Sequence, residues 1–287
     1  MGSLEDGLTS EVAREDHPVS TAGCAMAKIA AKVAERIAFG LKRFQPILES
    51  ARTRDVNESD TVVIVTDMLQ EVFGYNKYAE ITSEHAIRGT YCDLAIKVDG
   101  KLTLLIEVKA IGLDLKSNHV KQAVDYAANQ GCEWVLLTNG VCWQAFRISF
   151  EKPIDHELVV DIDLLKLSPR KDADIELLWV ISRDGCKKDG LDSYHSQRAA
   201  LSRFTLGALL QTESILDVLR RELRRVSPDA KIETDDIKNV LVAEVVKREV
   251  LEGDKAAAAK RLVARAASRA LRKGAGNDKE EPAPADG

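Results

Sequence analysis

Apolar residues recur along this chain in two rhythms, one helical and one of period two, and the switches between them mark its elements. "MAKIAAKVAERIAFGLKRFQPILESA", from Met26, carries apolar residues at helical spacing, with Gly40 and Pro46 expected to interrupt it. "ESDTVVIVTDMLQEVFGY" repeats the helical pattern, with Asn57 placed to cap its start and Gly74 suited to its end. The rhythm then changes. "TYCDLAIKVDGKLTLLIEVKA" alternates around Asp99-Gly100 and predicts a β-hairpin. "SNHVKQAVDYAANQG" predicts a helix ending at Gly131, and "EWVLLTNGVCWQAFRISF" a second hairpin turning at Asn139-Gly140. "HELVVDIDLLKL" predicts one more strand running into a short helix. Helices, hairpins and a crossover helix in this order predict an α/β sandwich around a mixed central sheet.

Beyond "SRDGCKKDGLDSYH", expected to be a linker, the pattern is helical throughout. "SQRAALSRFTLGALLQTESILDVLRRELRRV" and "TDDIKNVLVAEVVKREVLEG" divide at Ser227-Pro228-Asp229, and "DKAAAAKRLVARAASRALRK" extends them. The expected organisation is a loose tail over 1–25, an α/β domain over 26–185, a helical region over 192–273 and a second tail over 274–287.

The first hairpin carries candidate chemistry. Its even positions, Cys92 to Val98 and Leu102 to Val108, are all apolar, whereas the odd ones include Asp93, Lys97, Lys101, Glu107 and Lys109. A two-residue Asp99-Gly100 loop would pair even with odd. An odd-membered or bulged hairpin, such as a three-residue Val98-Asp99-Gly100 loop with Gly100 left-handed, pairs even with even and sets Asp93 and Glu107 on one face. Two carboxylates so close stay ionised readily only around a cation, and hard oxygen ligands suit Mg²⁺, with Mn²⁺ as a substitute. A lysine two residues on can orient or deprotonate a water, or neutralise a developing oxyanion. The plain alternative is a solvated strand face, because an acid–x–lysine pair alone is a weak signal.

With those residues in place, the sequence resembles the PD-(D/E)XK nuclease superfamily, and most of all the N-terminal nuclease domain of type I restriction enzyme R subunits. The resemblance runs through Asp93, Glu107-Val108-Lys109, Gln122 and Tyr126 of "QAVDY", and Thr138-Asn139-Gly140. It implies a restriction-endonuclease-like fold, with Asp93 and Glu107 as metal ligands and Lys109 as the catalytic lysine. Gln122 would contact the site or the DNA, with a plain helix-surface amide as the alternative, and Tyr126 is either core or DNA-contacting. Glu58 is the best match for a further acidic ligand and Glu84 a weaker one; a first-turn acid accounts for Glu58 equally well. Cys92 stands where the superfamily signature has proline. No G-x-x-x-x-G-K-[ST] loop is present, so the ATP-driven motor of a full R subunit is not expected. The implied activity is Mg²⁺-dependent endonucleolytic hydrolysis of DNA in restriction or defence. The alternative is a non-catalytic nucleic-acid-binding or interaction protein that keeps the fold.

Composition narrows these readings only a little. At 45% hydrophobic and 30% charged residues over 287, the chain is of ordinary globular type. The acidic start lacks an apolar core, and no run suits a membrane span, so a cytoplasmic protein is expected. Five scattered cysteines without C-x-x-C, and five histidines without H-E-x-x-H, offer neither a disulfide framework nor a zinc site. A net charge of −5 does not advertise a nucleic-acid binder, although local patches escape such a sum. Arg220, Arg221, Arg224 and Arg225, then Lys247 and Arg248, then Arg261, Arg265, Arg269 and Arg272 fall at helical spacing. They suit either duplex DNA phosphates or a solvated face with acidic partners. Leu206, Leu209, Leu210, Ile215 and Leu219 would serve a homodimer surface or pack on the nuclease domain. RNA shares the phosphodiester chemistry of DNA and stays open as a substrate.

Overall fold

Neither Gly40 nor Pro46 interrupts the first helix of the protein, whose computed structural model describes residues 29–87, 90–150 and 153–277, with backbone alone at 84–87, 90–91, 117 and 270–277. Helix α1 runs unbroken over Ala31–Thr53. Proline removes one helical hydrogen bond, but buried side chains on both sides of it, Leu41 and Phe44 before and Leu48 and Ala51 after, hold one face of the helix in the core. Gly40 serves close packing: a Cβ there would lie 2.9 Å from Val72 Cγ2 and 3.0 Å from Val72 Cα. Val72 ends α2 (Glu58–Glu71), whose start is capped as the sequence predicts, Asn57 accepting from Asp60 N at 2.9 Å. Most of the residues expected in the two tails lie outside the described set.

Among the described residues six strands form one sheet in sequence order: β1 (Ile81–Ile87), β2 (Thr90–Val98), β3 (Lys101–Val108), β4 (Trp134–Thr138), β5 (Cys142–Ser149) and β6 (Asp155–Asp163). Neighbours are antiparallel except β3 and β4, which run parallel because α3 (Ser117–Gln130) crosses between them. Gly131, at φ 64°, ends α3. The architecture is the expected α/β fold with a mixed sheet. Strand β1 carries little alternation of its own and was not anticipated.

Of the two expected forms, an odd-membered loop or a bulge, the hairpin takes the bulge. Val98 pairs with Lys101 across a two-residue Asp99-Gly100 turn, with φ of 50° and 80° as a type I′ turn requires. A bulge then restores the parity: Lys97 pairs with Leu102, but Ile96 pairs with Leu104, leaving Thr103 as the extra residue. From there the pairing is even with even, Leu94 opposite Ile106, so continuing it by one residue sets Asp93 opposite Glu107. The bulge also moves Leu102 to the other face, where it packs against the cluster that includes Leu105, Val120 and Val124. That face is not a solvated polar one. Helix α3 covers it, and Ala95 and Leu105 are fully buried there. Helix α2 packs on β3 as well, and Leu104, Ile106 and Val108 are also fully buried.

The expected linker is largely helical. After α4 (Asp172–Val180) it forms α5 (Arg183–Cys186) and enters α6 (Gly190–Ala200). Charged pairs stitch it to earlier elements: Arg183 Nε donates to both oxygens of Glu80 at 2.8 Å, and Asp184 accepts from Arg36 at 2.8 Å. The chain divides into two compact units, the first ending at Gly190 and the second starting at Leu191. The second unit continues with α7 (Arg203–Leu209), α8 (Glu213–Val226), α9 (Thr234–Val240), a π-helical turn, α10 (Arg248–Leu251) and α11 (Gly253–Asn277). Among the described residues no helix is long and apolar enough to cross a membrane.

Candidate active site

Strand β3 ends where its last odd-numbered side chain, Glu107, meets the start of α2 through a lysine. Lys109 Nζ donates to Glu107 Oε1 at 2.7 Å and stands 3.6 Å from Glu58 Oε2. Asp93 is fixed from the neighbouring strand, its Oδ2 accepting from Val108 N at 2.7 Å. Asp93, Glu107, Lys109 and Glu58, far apart in sequence, are thereby gathered at one end of the sheet. Exposure is graded across them: the Glu107 side chain is 4% exposed, Lys109 17% and Glu58 49%. Glu58 also fills the first turn of α2, where an acid suits the helix dipole.

Glu107 is an unusual strand residue. Its Oε2 is buried and accepts no hydrogen bond among the described residues. Leaving such an atom unpaired costs about 1–3 kcal/mol or more for a charged group. Burial drives its carboxyl above the usual range; the Lys109 hydrogen bond pulls it back, and the charges of Asp93 and Glu58 push it up again. Burial acts on Lys109 in the opposite sense, but the hydrogen bond and charge of Glu107, with Glu58 and Asp93 adding, leave its ammonium raised above the usual value. Lys109 is therefore held as a cation in this arrangement.

This donor set fits a small hard cation. Asp93 and Glu107 supply carboxylate oxygens side by side, and the orphaned Oε2 of Glu107 is an acceptor without a protein donor. Among the described residues no group of three or more His, Cys, Asp or Glu side chains forms a ready cage. Two carboxylates are the usual protein share for Mg²⁺, which completes its shell with water and phosphate oxygens. Glu58 stands against Lys109 at the rim of this pair.

The segment after β3 is held by residues whose role the sequence did not disclose. Asn139 is buried; its Nδ2 donates to Leu113 O at 2.9 Å and Ile111 O at 3.4 Å, and its Oδ1 accepts from Val141 N and Cys142 N at 3.1 and 2.7 Å. Lys109 N donates to Thr138 O at 2.8 Å, and Ile111 N to Val56 O just ahead of α2. The Thr138-Asn139-Gly140 turn thus grips the backbone that follows the reactive end of β3. Gln122 occupies an exposed position of α3. Tyr126, one turn further, is 1% exposed in the α3-side core, which removes its DNA-contacting reading. The Glu84 side chain lies outside the described residues.

A comparison with protein families bears on the same residues. Residues 61–162 match the family model of the type I restriction enzyme R protein N terminus. The matched span starts inside α2 and ends in β6, so it takes in Asp93, Glu107, Lys109 and Gln122 and stops short of the helical unit. This span is similar to a restriction-system nuclease domain, in agreement with the resemblance its motifs carry. Glu58 lies just ahead of it. No curated protein and no solved structure matches the chain.

Proposed function

We propose that the first unit is a metal-dependent endonuclease that hydrolyses DNA phosphodiester bonds, in restriction or defence against foreign DNA. The observation that carries this reading is the buried, half-satisfied carboxylate of Glu107, set opposite Asp93 and bonded to Lys109. A residue serving the core alone would not leave a charged oxygen without a donor. The similarity of residues 61–162 to a restriction-system nuclease domain supports the same reading.

Asp93 and Glu107 would hold Mg²⁺ or Mn²⁺, which when bound polarises the phosphoryl oxygen and acidifies a water. The chain's own residues do the rest. The Val108 amide fixes one oxygen of Asp93, so that carboxylate presents its other oxygen without reorganising. Lys109 keeps its proton and offers donors beyond the one given to Glu107, placed to neutralise negative charge as the phosphorane-like transition state forms. This role suits a raised ammonium better than that of general base. Glu58 holds Lys109 from its far side.

The test is to incubate the purified full-length protein with plasmid, linear duplex, single-stranded DNA and RNA in Mg²⁺, Mn²⁺ or EDTA. Cleavage of duplex DNA that EDTA abolishes is expected. Lys109→Ala should lose cleavage while calorimetry still detects metal. An absence of cleavage on every DNA substrate would contradict the proposal, and cleavage of RNA alone would redirect it.

A further inference from the structure

The helical unit carries arginines of two kinds. Those of α8 have carboxylate partners: Arg220 pairs with Asp217 at 2.8 Å and Glu233 at 3.5 Å, and Arg225 with Glu222 at 2.8 Å. Arg224 lies 4.0 Å from Glu233 and Arg221 3.7 Å from Glu222. Arg248 is likewise paired, with Glu252 at 2.8 Å. Each of these side chains already has a carboxylate beside it, although Glu222 and Glu233 each serve two arginines. On α11 the situation is different. Arg261, Arg265 and Arg269 are exposed, and among the described residues none of them has an ion-pair or hydrogen-bond partner.

Helix α11 is anchored at its start, where Ala256 and Ala259 are buried and the helix packs on α7; from Ala264 to Arg269 every residue is exposed. Four-residue spacing puts the three guanidiniums on one face, about 6 Å apart along the axis, a row about 12 Å long. Like charges one turn apart repel. Between Lys255 and Lys273 the sequence holds no Asp or Glu to relieve them, in a chain whose net charge is −5. Nor does that stretch hold an aromatic residue, the usual anchor of a protein interface or of an interfacial membrane helix. What remains is a line of planar donors suited to phosphate. A duplex strand presents a phosphate about every 3.4 Å of its axis, so the row spans about three of them.

We infer that this face of α11 binds the phosphate backbone of duplex DNA without regard to sequence. The inference rests on the nuclease reading of the first unit for the identity of its polyanion. Helix α11 lies beyond the family match.

The experiment is a salt titration of a fluorescent duplex against the full-length protein in EDTA, read by anisotropy. Replacing Arg261, Arg265 and Arg269 together by Gln should lower the slope of log affinity against log salt by about 2.7, at about 0.9 per phosphate contact. The wild type's advantage then shrinks about 40-fold between 50 and 200 mM salt. Lysine at the same three positions should keep the slope, and Arg221→Gln with Arg225→Gln on α8 should leave it unchanged. An unaltered slope in the α11 glutamine variant overturns the inference, as does a halved mass by light scattering, which would make the row a contact between copies. Plasmid cleavage in Mg²⁺ separates the two readings. Cleavage with an unaltered slope defeats this inference alone, whereas a reduced slope without wild-type cleavage defeats the nuclease reading alone.

Discussion

Asn139 satisfies both ends of its amide on backbone groups of two segments, donating to the stretch after β3 and accepting from its own turn. In Asn139→Ala those buried groups lose their partners together, so a destabilisation of about 1–3 kcal/mol is expected. Urea unfolding would read it as a lower midpoint at constant slope; a shift under about 0.5 kcal/mol, the size of an ordinary surface change, would contradict the role. Cys142 offers a second residue-scale test. Burial, with Asp163 and Asp161 adding, pushes its thiol up to about 11. An ordinary thiol titrates at about 8.5, so at pH 8 Cys142 should alkylate about a hundredfold more slowly and speed up as the pH rises towards 11. Mass spectrometry of the labelled peptide reads this, and a rate matching that of a free thiol would contradict it. That Asp93, Glu107 and Lys109 lie together was legible in the sequence, because residue type and spacing carry it. Asn139 was visible only as a turn residue, since its burial depends on where a distant loop passes.

At the scale of elements, the hairpin shows what alternation can and cannot fix. Parity along β2 and β3 required Asp93 and Glu107 to share a face, and they do, but a bulge at Thr103 achieves it rather than a longer loop. Turn and bulge both shift register by one, so the sequence could not choose between them. Nor did it reveal that α3 would cover the odd face, because Ala95 and Leu105 were outnumbered there by polar neighbours. Helix α1 contradicts the reading of Gly40 as a breaker, and its contact with Val72 gives a prediction. Gly40→Ala gains about 1 kcal/mol of helix propensity but forces a methyl to within 2.9 Å of Val72. Overpacking costs about 1–3 kcal/mol, so net destabilisation is expected. A raised melting temperature in that variant would show the two helices to be free to part.

For the whole molecule, the α/β fold was legible because helical and alternating runs follow one another cleanly. The stretch from Ser182 to His195 reads as a linker because glycines and lysines conceal short helices, the first of them held by Arg36 and Glu80. The proposed cation site at Asp93 and Glu107 also has a global consequence. Mg²⁺ bound only by the folded chain should stabilise it by about 2.7 kcal/mol at a hundred times its dissociation constant. Thermal unfolding should therefore shift upward with Mg²⁺ in the wild type and stay put in Asp93→Ala; equal shifts in both would place the ion elsewhere. The most direct test compares single-turnover cleavage of supercoiled plasmid in Mg²⁺ by the wild type and by folded Glu107→Ala. The expected result is nicked or linear product from the wild type, abolished by EDTA, with a rate lower by orders of magnitude in the variant. Equal rates in the two proteins would contradict the assignment of phosphodiester hydrolysis to the end of β3.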